Sequence, residues 1–157
     1  MCDFLINLFT SEIFLTIISG VLVFVIGQLF NEYFLKPIQD YKKLRGKIAY
    51  TLTFYAQLYM NPIDILSTNN EYNSASYEIR KLAAEVDSLI ETKPFGNLFI
   101  PKIKTLVNVS KCLIGISNSF YSNNISKSQN DNALRRSQIY SLLKMKSHRE
   151  KKHKKYS

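Results

Sequence analysis

The chain has 157 residues and a formal net charge of +9, and it contains two cysteines, two histidines and five glycines. The cysteines and histidines lack the spacing of metal ligands, and no glycine-rich loop that would bind phosphate is present. No pair of carboxylates accompanies a nearby nucleophile. The sequence therefore predicts a protein without a metal, a cofactor or an enzymatic activity.

The first element along the chain is an uncharged apolar segment, residues 13–30. Eighteen residues in a helix span roughly 27 Å, close to the ~30 Å hydrocarbon core of a bilayer. We predict a transmembrane helix over about residues 12–35, within a membrane anchor that covers 1–36. A buried core helix is less favoured because the apolar run is long. A cleaved signal is disfavoured because residues 1–12 carry no Lys or Arg and no cleavage site follows.

Basic residues follow this segment and none precedes it. They are Lys36, Lys42, Lys43, Arg45 and Lys47. The positive-inside rule then predicts a single-pass protein of the bacterial inner membrane with its amino terminus outside and its remaining residues in the cytoplasm. Cys2 and Cys112 would lie on opposite sides of the membrane, which excludes a disulfide between them.

Small and polar residues form a stripe along one side of the predicted span. The stripe contains the helix-packing candidates Thr16, Gly20 and Gly27 and the pore-lining candidates Glu12, Ser19 and Asn31. A single helix surrounded by lipid gains nothing from such a stripe, because small residues serve close helix packing and polar groups face protein or water. The stripe predicts a homo-oligomer in the membrane.

Residues 37–147 are predicted to form a small cytoplasmic helical domain, so the fold class is all-α. Pro37 predicts a kink or a short break where the chain leaves the membrane. Helices are predicted over residues 38–60, 74–92, 101–120 and 132–146, and the Ser- and Asn-rich residues 117–132 are predicted to form a mobile loop. The 74–92 helix has the clearest apolar face, formed by Ile79, Leu82, Ala83, Val86, Leu89 and Ile90. The apolar residues of the 101–120 helix are Ile103, Leu106, Val107, Leu113, Ile114 and Phe120.

Three stretches of the sequence resemble a known group of proteins. The stretches are GQLFNEYFLKPIQDYKKLRGKIAYTLTFYAQLYMNP, IRKLAAEVDSLI and KCLIGISNSF, and together they cover most of residues 20–120. They resemble small bacterial proteins with one membrane helix, and most of all the membrane accessory proteins of type VI-B CRISPR systems. The resemblance implies a divergent HEPN-like helical domain, a ring-shaped pore, and a functional link to an RNA-guided CRISPR effector in antiphage defence, through membrane depolarisation.

The chain departs from the catalytic motif of the HEPN ribonucleases, which is Arg-x(4–6)-His. Arg149 and His153 are separated by only three residues, and no Arg or Asn precedes His148 at the required distance. Because general acid–base chemistry needs a pair held in a fixed geometry, Arg149 and His153 are weak catalytic candidates. The alternative to a non-enzymatic pore is a membrane-anchored HEPN-like domain that binds or cleaves RNA.

Positive charge is concentrated at the carboxy terminus. Residues 134–157 hold nine basic side chains and one acidic one, and residues 148–157 form a basic tail. Three interpretations stay open: the cluster binds RNA phosphates, it binds anionic lipid head groups, or it is a solvated, disordered tail. The candidate polyanion-binding residues are Arg135, Arg136, Lys144, Lys146, Arg149, Lys151, Lys152, Lys154 and Lys155.

Overall fold

The computed structural model describes residues 12–64, 66, 69–92 and 99–145, and this part of the chain contains helices and no β-strand. The all-α fold class is confirmed. A π turn (Asn31–Leu35) lies between the first two helices. The helices are α1 (Glu12–Phe30), α2 (Lys36–Phe54), α3 (Ala56–Met60), α4 (Asn70–Thr92), α5 (Ile103–Asn118) and α6 (Ile125–Leu142).

The first two helices and the π turn form one continuous helix of 43 residues, Glu12–Phe54. The predicted break at Pro37 is therefore absent, and a π turn precedes the proline. Proline has no backbone N–H and its ring crowds the carbonyl four residues earlier. Just before it, the Lys36 N–H donates to the carbonyl of Asn31, five residues back. This wider turn makes room for the proline ring, so the helix continues.

The predicted 38–60 helix is two helices rather than one. Helix α2 begins earlier, at Lys36, and ends at Phe54, because Tyr55 leaves the helical conformation with φ −90° and ψ 14°. The short α3 follows. Its Tyr59 is fully buried and donates a hydrogen bond to the Leu52 carbonyl at 2.7 Å. The bend at Tyr55 therefore turns this ring back under α2 and into the core.

Helices α4 and α5 pack against each other over the largest interface in the bundle. On α4 the predicted apolar face is confirmed, since five of its six residues are buried and Ile90 is partly buried. On α5 not all of the apolar residues are buried: Ile103 and Ile114 are 53% and 38% exposed. The buried positions are spaced three or four residues apart from Leu106 onward. They are Leu106, Val109, Ser110, Leu113, Ile116 and Ser117.

The last helix begins before the position that the sequence predicts. Residues 125–132 belong to α6 and not to a mobile loop. The Asn124 side chain caps the helix by accepting a hydrogen bond from the Lys127 N–H at 3.1 Å. Asn132, expected at the end of the loop, is fully buried inside the helix. The Ser and Asn side chains here make specific hydrogen bonds, so their abundance does not indicate a loop.

Helix α6 ends at Leu142 rather than at residue 146, in a Schellman motif. The Lys144 N–H donates to the Ser141 carbonyl at 3.1 Å, and the Met145 N–H donates to the Tyr140 carbonyl at 2.9 Å. The motif places Lys144 in the left-handed region with φ 51°. Glycine is the usual residue there, because a side chain makes this conformation costly.

Candidate membrane-spanning helix and the adjoining end of the bundle

Helix α1 has exposed apolar side chains on all its sides, and none of its residues is buried. Ile13, Val23 and Ile26 are 75%, 71% and 64% exposed. A continuous apolar surface of this kind marks a site that contacts another protein or a membrane. Among the described residues, the helix Glu12–Phe54 is the one long and apolar enough to cross a membrane.

The helix-packing candidates lie on an open surface of α1. A Cβ atom added to Gly20 or to Gly27 would meet no atom within 4 Å outside the helix backbone. The Thr16 hydroxyl donates to the Glu12 carbonyl at 2.8 Å. The side chain of Thr16 therefore has its hydrogen-bond partner within the helix. These three small residues would let a neighbouring helix approach closely.

The pore-lining candidates are all exposed and are spread along the helix. Ser19 donates to the Thr16 carbonyl at 2.8 Å, so its hydroxyl also has a partner within the helix. Glu12 begins α1, and Asn31 begins the π turn at its other end. At ~1.5 Å per residue these two polar residues are roughly 28 Å apart, about the thickness of the hydrocarbon core. At this distance, Glu12 and Asn31 of one chain do not form a site together.

Aromatic side chains surround the end of the apolar segment. Phe30 and Phe34 stack with their ring centroids 5.2 Å apart, and Tyr33 is 60% exposed. One turn later Lys36 forms an ion pair with Glu32 at 3.0 Å. A tyrosine followed by charged residues, as Tyr33 is here, is typical of the boundary between hydrocarbon and head groups. The π turn therefore lies where a membrane boundary is expected.

One end of the helical bundle lies beside the π turn, and we call it the proximal end. A groove of about 580 Å³ brings Glu32 and Lys36 of the long helix together with Ser88 and Thr92 from the end of α4. Most charges in this groove are paired with each other. The ion pairs are Lys36–Glu32, Lys43–Asp40 and Lys47–Glu85.

A second depression at the proximal end, the basic cleft, was not predicted from the sequence. Arg45 of α2, Lys102 before α5 and Lys144 after α6 line it, with Tyr41 at its floor. Burial raises the pKa of the Tyr41 hydroxyl, and the nearby Arg45 opposes that rise. No signal in the sequence could have predicted that these cations lie close together, because they come from three separate parts of the chain.

The candidate polyanion-binding residues have different surroundings. Arg135 is half-buried and donates to the Gly115 carbonyl at 3.3 Å and to Asn132 Oδ1 at 3.2 Å. Gly115 leaves the space for this guanidinium, since a Cβ there would lie 2.6 Å from Arg135 Nε. Arg136 lies over the Tyr140 ring at 5.5 Å. Lys144 is exposed, and the remaining candidates, from Lys146 onward, lie outside the described residues.

Arg149 and His153 also lie outside the described residues, so the structure does not bear on their catalytic candidacy. Among the described residues, no cluster of His, Cys, Asp or Glu could hold a metal ion. Comparison with known proteins finds no match to any family model, curated protein or solved structure. The resemblance to CRISPR accessory proteins, and its HEPN-like domain, therefore stays a prediction from the sequence.

Proposed function

We propose that this protein is a single-span membrane protein of the bacterial inner membrane, and that its spanning helices assemble into a pore. The amino terminus lies outside and the helical bundle lies in the cytoplasm. One observation carries the proposal: the helix Glu12–Phe54 is continuous, with no buried residue in α1 and with Tyr41, Ile48 and Leu52 buried in the bundle. The half of the helix in which no residue is buried is the apolar half.

The continuous helix explains how the bundle would be held at the membrane. A flexible linker after the span would let the bundle move freely, whereas a helix of 19 residues in α2 fixes it to the span. Assembly of the spanning helices would then also assemble the bundles in a defined arrangement. Such a coupling suits a pore that is controlled from the cytoplasm.

Self-association is supported by the stripe on α1. Thr16, Gly20 and Gly27 offer a shallow surface, and close approach of helix backbones in membranes depends on such residues. Glu12 and Asn31 would then face the lumen at its two mouths, since an intramembrane polar residue is costly against lipid. In the setting that the sequence resemblance implies, this pore would depolarise the envelope and strengthen RNA-guided antiphage defence.

The test of assembly is the particle mass of the detergent-purified full chain, measured by size-exclusion chromatography with light scattering. We expect a particle of many subunits. A monomer or dimer would contradict the pore and favour the alternative, an anchored domain that binds or cleaves RNA.

The test of conduction uses vesicles that contain the reconstituted protein and a potential-sensitive dye. We expect wild type to dissipate an imposed potassium potential, and Asn31→Leu to do so more slowly while keeping the same particle mass. Val25→Leu, a change on the opposite side of α1, is the matched control. If wild type leaves the potential intact, the protein does not conduct and the pore is excluded.

A further inference from the structure

The basic cleft differs in charge from the rest of the proximal end. It is a depression of about 340 Å³ lined by Arg45, Lys102 and Lys144, with no Asp or Glu among its described lining residues. The neighbouring groove pairs each of its lysines with a carboxylate. The cleft therefore has a net positive charge that no acidic side chain in its lining offsets, and its volume is that of a small-ligand site.

One feature of the backbone adds to this positive charge. Lys102 precedes the first turn of α5, and its side chain makes no cap hydrogen bond. The amide groups of that turn carry the positive end of the helix dipole.

Lys144 occupies a position that is unfavourable for lysine. Its φ of 51° lies in the left-handed region, where glycine is preferred. Here the Schellman motif imposes this conformation on the lysine. Lys144 lines the cleft together with Arg45 and Lys102.

The cleft lies close to the expected membrane boundary. Tyr41 and Arg45 follow Leu35 by six and ten residues, or roughly 9 and 15 Å along the helix. Phe99, which lines the same cleft, is 73% exposed. A basic surface with an exposed aromatic ring is typical of contact with lipid head groups.

We propose that the basic cleft binds the phosphate of an anionic phospholipid head group. This inference rests on the proposed function, because the cleft meets head groups only if α1 spans the membrane. RNA would satisfy the same charges, but the cleft opens at the end of the bundle nearest the π turn, where lipid phosphates are concentrated. The bound lipid would fix the bundle against the membrane surface.

The test measures phospholipid binding to the detergent-purified full chain by native mass spectrometry, with dioleoylphosphatidylglycerol and dioleoylphosphatidylcholine as probes. The variant combines Arg45→Gln, Lys102→Gln and Lys144→Gln. The control combines Lys81→Gln, Lys111→Gln and Lys127→Gln, which remove the same charge from exposed positions outside the cleft. One positive charge near a membrane surface changes affinity about fivefold. We expect phosphatidylglycerol affinity to fall at least fivefold further in the cleft variant than in the control, and phosphatidylcholine affinity to stay unchanged.

A second variant, Lys144→Gly, separates binding from folding. Glycine relieves the left-handed conformation, so we expect an equal or higher melting temperature together with weaker phosphatidylglycerol binding. A merely structural role would change both in the same direction. Unchanged phosphatidylglycerol binding in Lys144→Gly and in the triple variant would overturn the proposal.

Two further measurements distinguish the other outcomes. If the cleft variant loses affinity for a labelled single-stranded RNA but keeps its affinity for phosphatidylglycerol, the cleft binds nucleic acid and the lipid proposal is wrong. Carbonate extraction of the protein from pure phosphatidylcholine vesicles tests the membrane span without the cleft's ligand. Extraction into the soluble fraction would refute the proposal that α1 spans the membrane. A stably inserted protein without lipid preference would refute only the proposal that the cleft binds lipid.

Discussion

Asn132 connects three parts of the bundle through one buried side-chain amide. Its Nδ2 donates to the Tyr59 carbonyl at 2.7 Å, and its Oδ1 lies 2.7 Å from the Ser119 hydroxyl and 3.2 Å from an Arg135 nitrogen. Because the residue is fully buried, water cannot replace these bonds. This side chain holds α3, the end of α5 and α6 in one arrangement.

Replacing Asn132 with Leu keeps the size of the side chain and removes every one of these bonds. The Tyr59 carbonyl would lose its side-chain partner, which costs about 1–3 kcal/mol, whereas Arg135 and Ser119 keep their bonds to backbone carbonyls. We therefore expect the free energy of unfolding to fall by about 2 kcal/mol. Urea denaturation of the full chain in detergent, followed by circular dichroism, measures it. Asn130→Leu, at an exposed position of the same helix, should change it by less than about 0.5 kcal/mol. Equal effects of the two changes would show that the network contributes nothing.

The raised pKa of Tyr59 predicts how the stability of the bundle depends on pH. Burial raises the pKa of its hydroxyl to about 12, although the charge of Arg136 opposes the rise. The folded state therefore keeps this proton at a pH where the unfolded state loses it. The stabilisation is complete below pH 10 and is lost as the pH rises from 10 to 12, by roughly 1.4 kcal/mol per pH unit.

The change Tyr59→Phe tests this dependence. Loss of the bond to the Leu52 carbonyl should lower the free energy of unfolding at pH 8 by about 1 kcal/mol. Between pH 10 and 12 the decline should be less steep than in wild type, since the variant has no proton to lose at this position. Denaturant titrations at several pH values measure both. Parallel declines in the two proteins would show that another group is responsible.

At the scale of elements, the stripe on α1 predicts how the spanning helices associate. Gly20→Leu or Gly27→Leu adds bulk where two helix backbones would approach, and each lost contact costs about 0.6–2 kcal/mol. In a ring the loss recurs at every interface. We expect either change to shift the detergent particle from a large assembly to small species in size-exclusion chromatography.

The control for the stripe is Val25→Leu, which adds bulk on the opposite side of the same helix. It should leave the assembly unchanged, because at ~100° per residue Val25 lies far from Gly20 and Gly27. If both glycine variants assemble like wild type, helices do not pack along this stripe. The self-association proposed for the protein would then lose its structural support.

At the scale of the whole molecule, the orientation in the membrane can be tested with a thiol reagent that does not cross it. Cys2 is predicted to lie outside and Cys112 inside. Cys112 is a poor reporter of its compartment, because its side chain is partly buried, it lies 3.3 Å from Gln138 Oε1, and burial raises its pKa. Weak labelling of Cys112 would therefore reflect its surroundings in the bundle.

A better reporter combines Cys112→Ser with Ser126→Cys, since Ser126 is exposed near the start of α6. On intact spheroplasts we expect the reagent to label Cys2 and to spare the new cysteine. To count the labels separately, each cysteine is tested alone. After the membrane is opened with detergent, both should react. Labelling of position 126 on intact spheroplasts would reverse the orientation.

The apolar segment and the face of α4 could be read from the sequence because both are local properties. The length of an uncharged run determines whether a helix can cross a bilayer, and no contact with the rest of the chain is needed. Likewise, the 3.6-residue period of Ile79, Leu82 and Val86 indicates that they lie on one side of one helix. The all-α fold follows from several such periods in succession.

Other features were decided only when the helices packed together. The Ser- and Asn-rich residues before position 132 form a helix because Asn124 caps it and because Asn132 finds its partners on α3 and near the end of α5. The basic cleft exists because α2, the residue before α5 and the turn after α6 each bring one cation to the proximal end of the bundle. A residue's partners in another helix are not encoded in its neighbours along the chain, so polar contacts and shared charge depend on the tertiary structure.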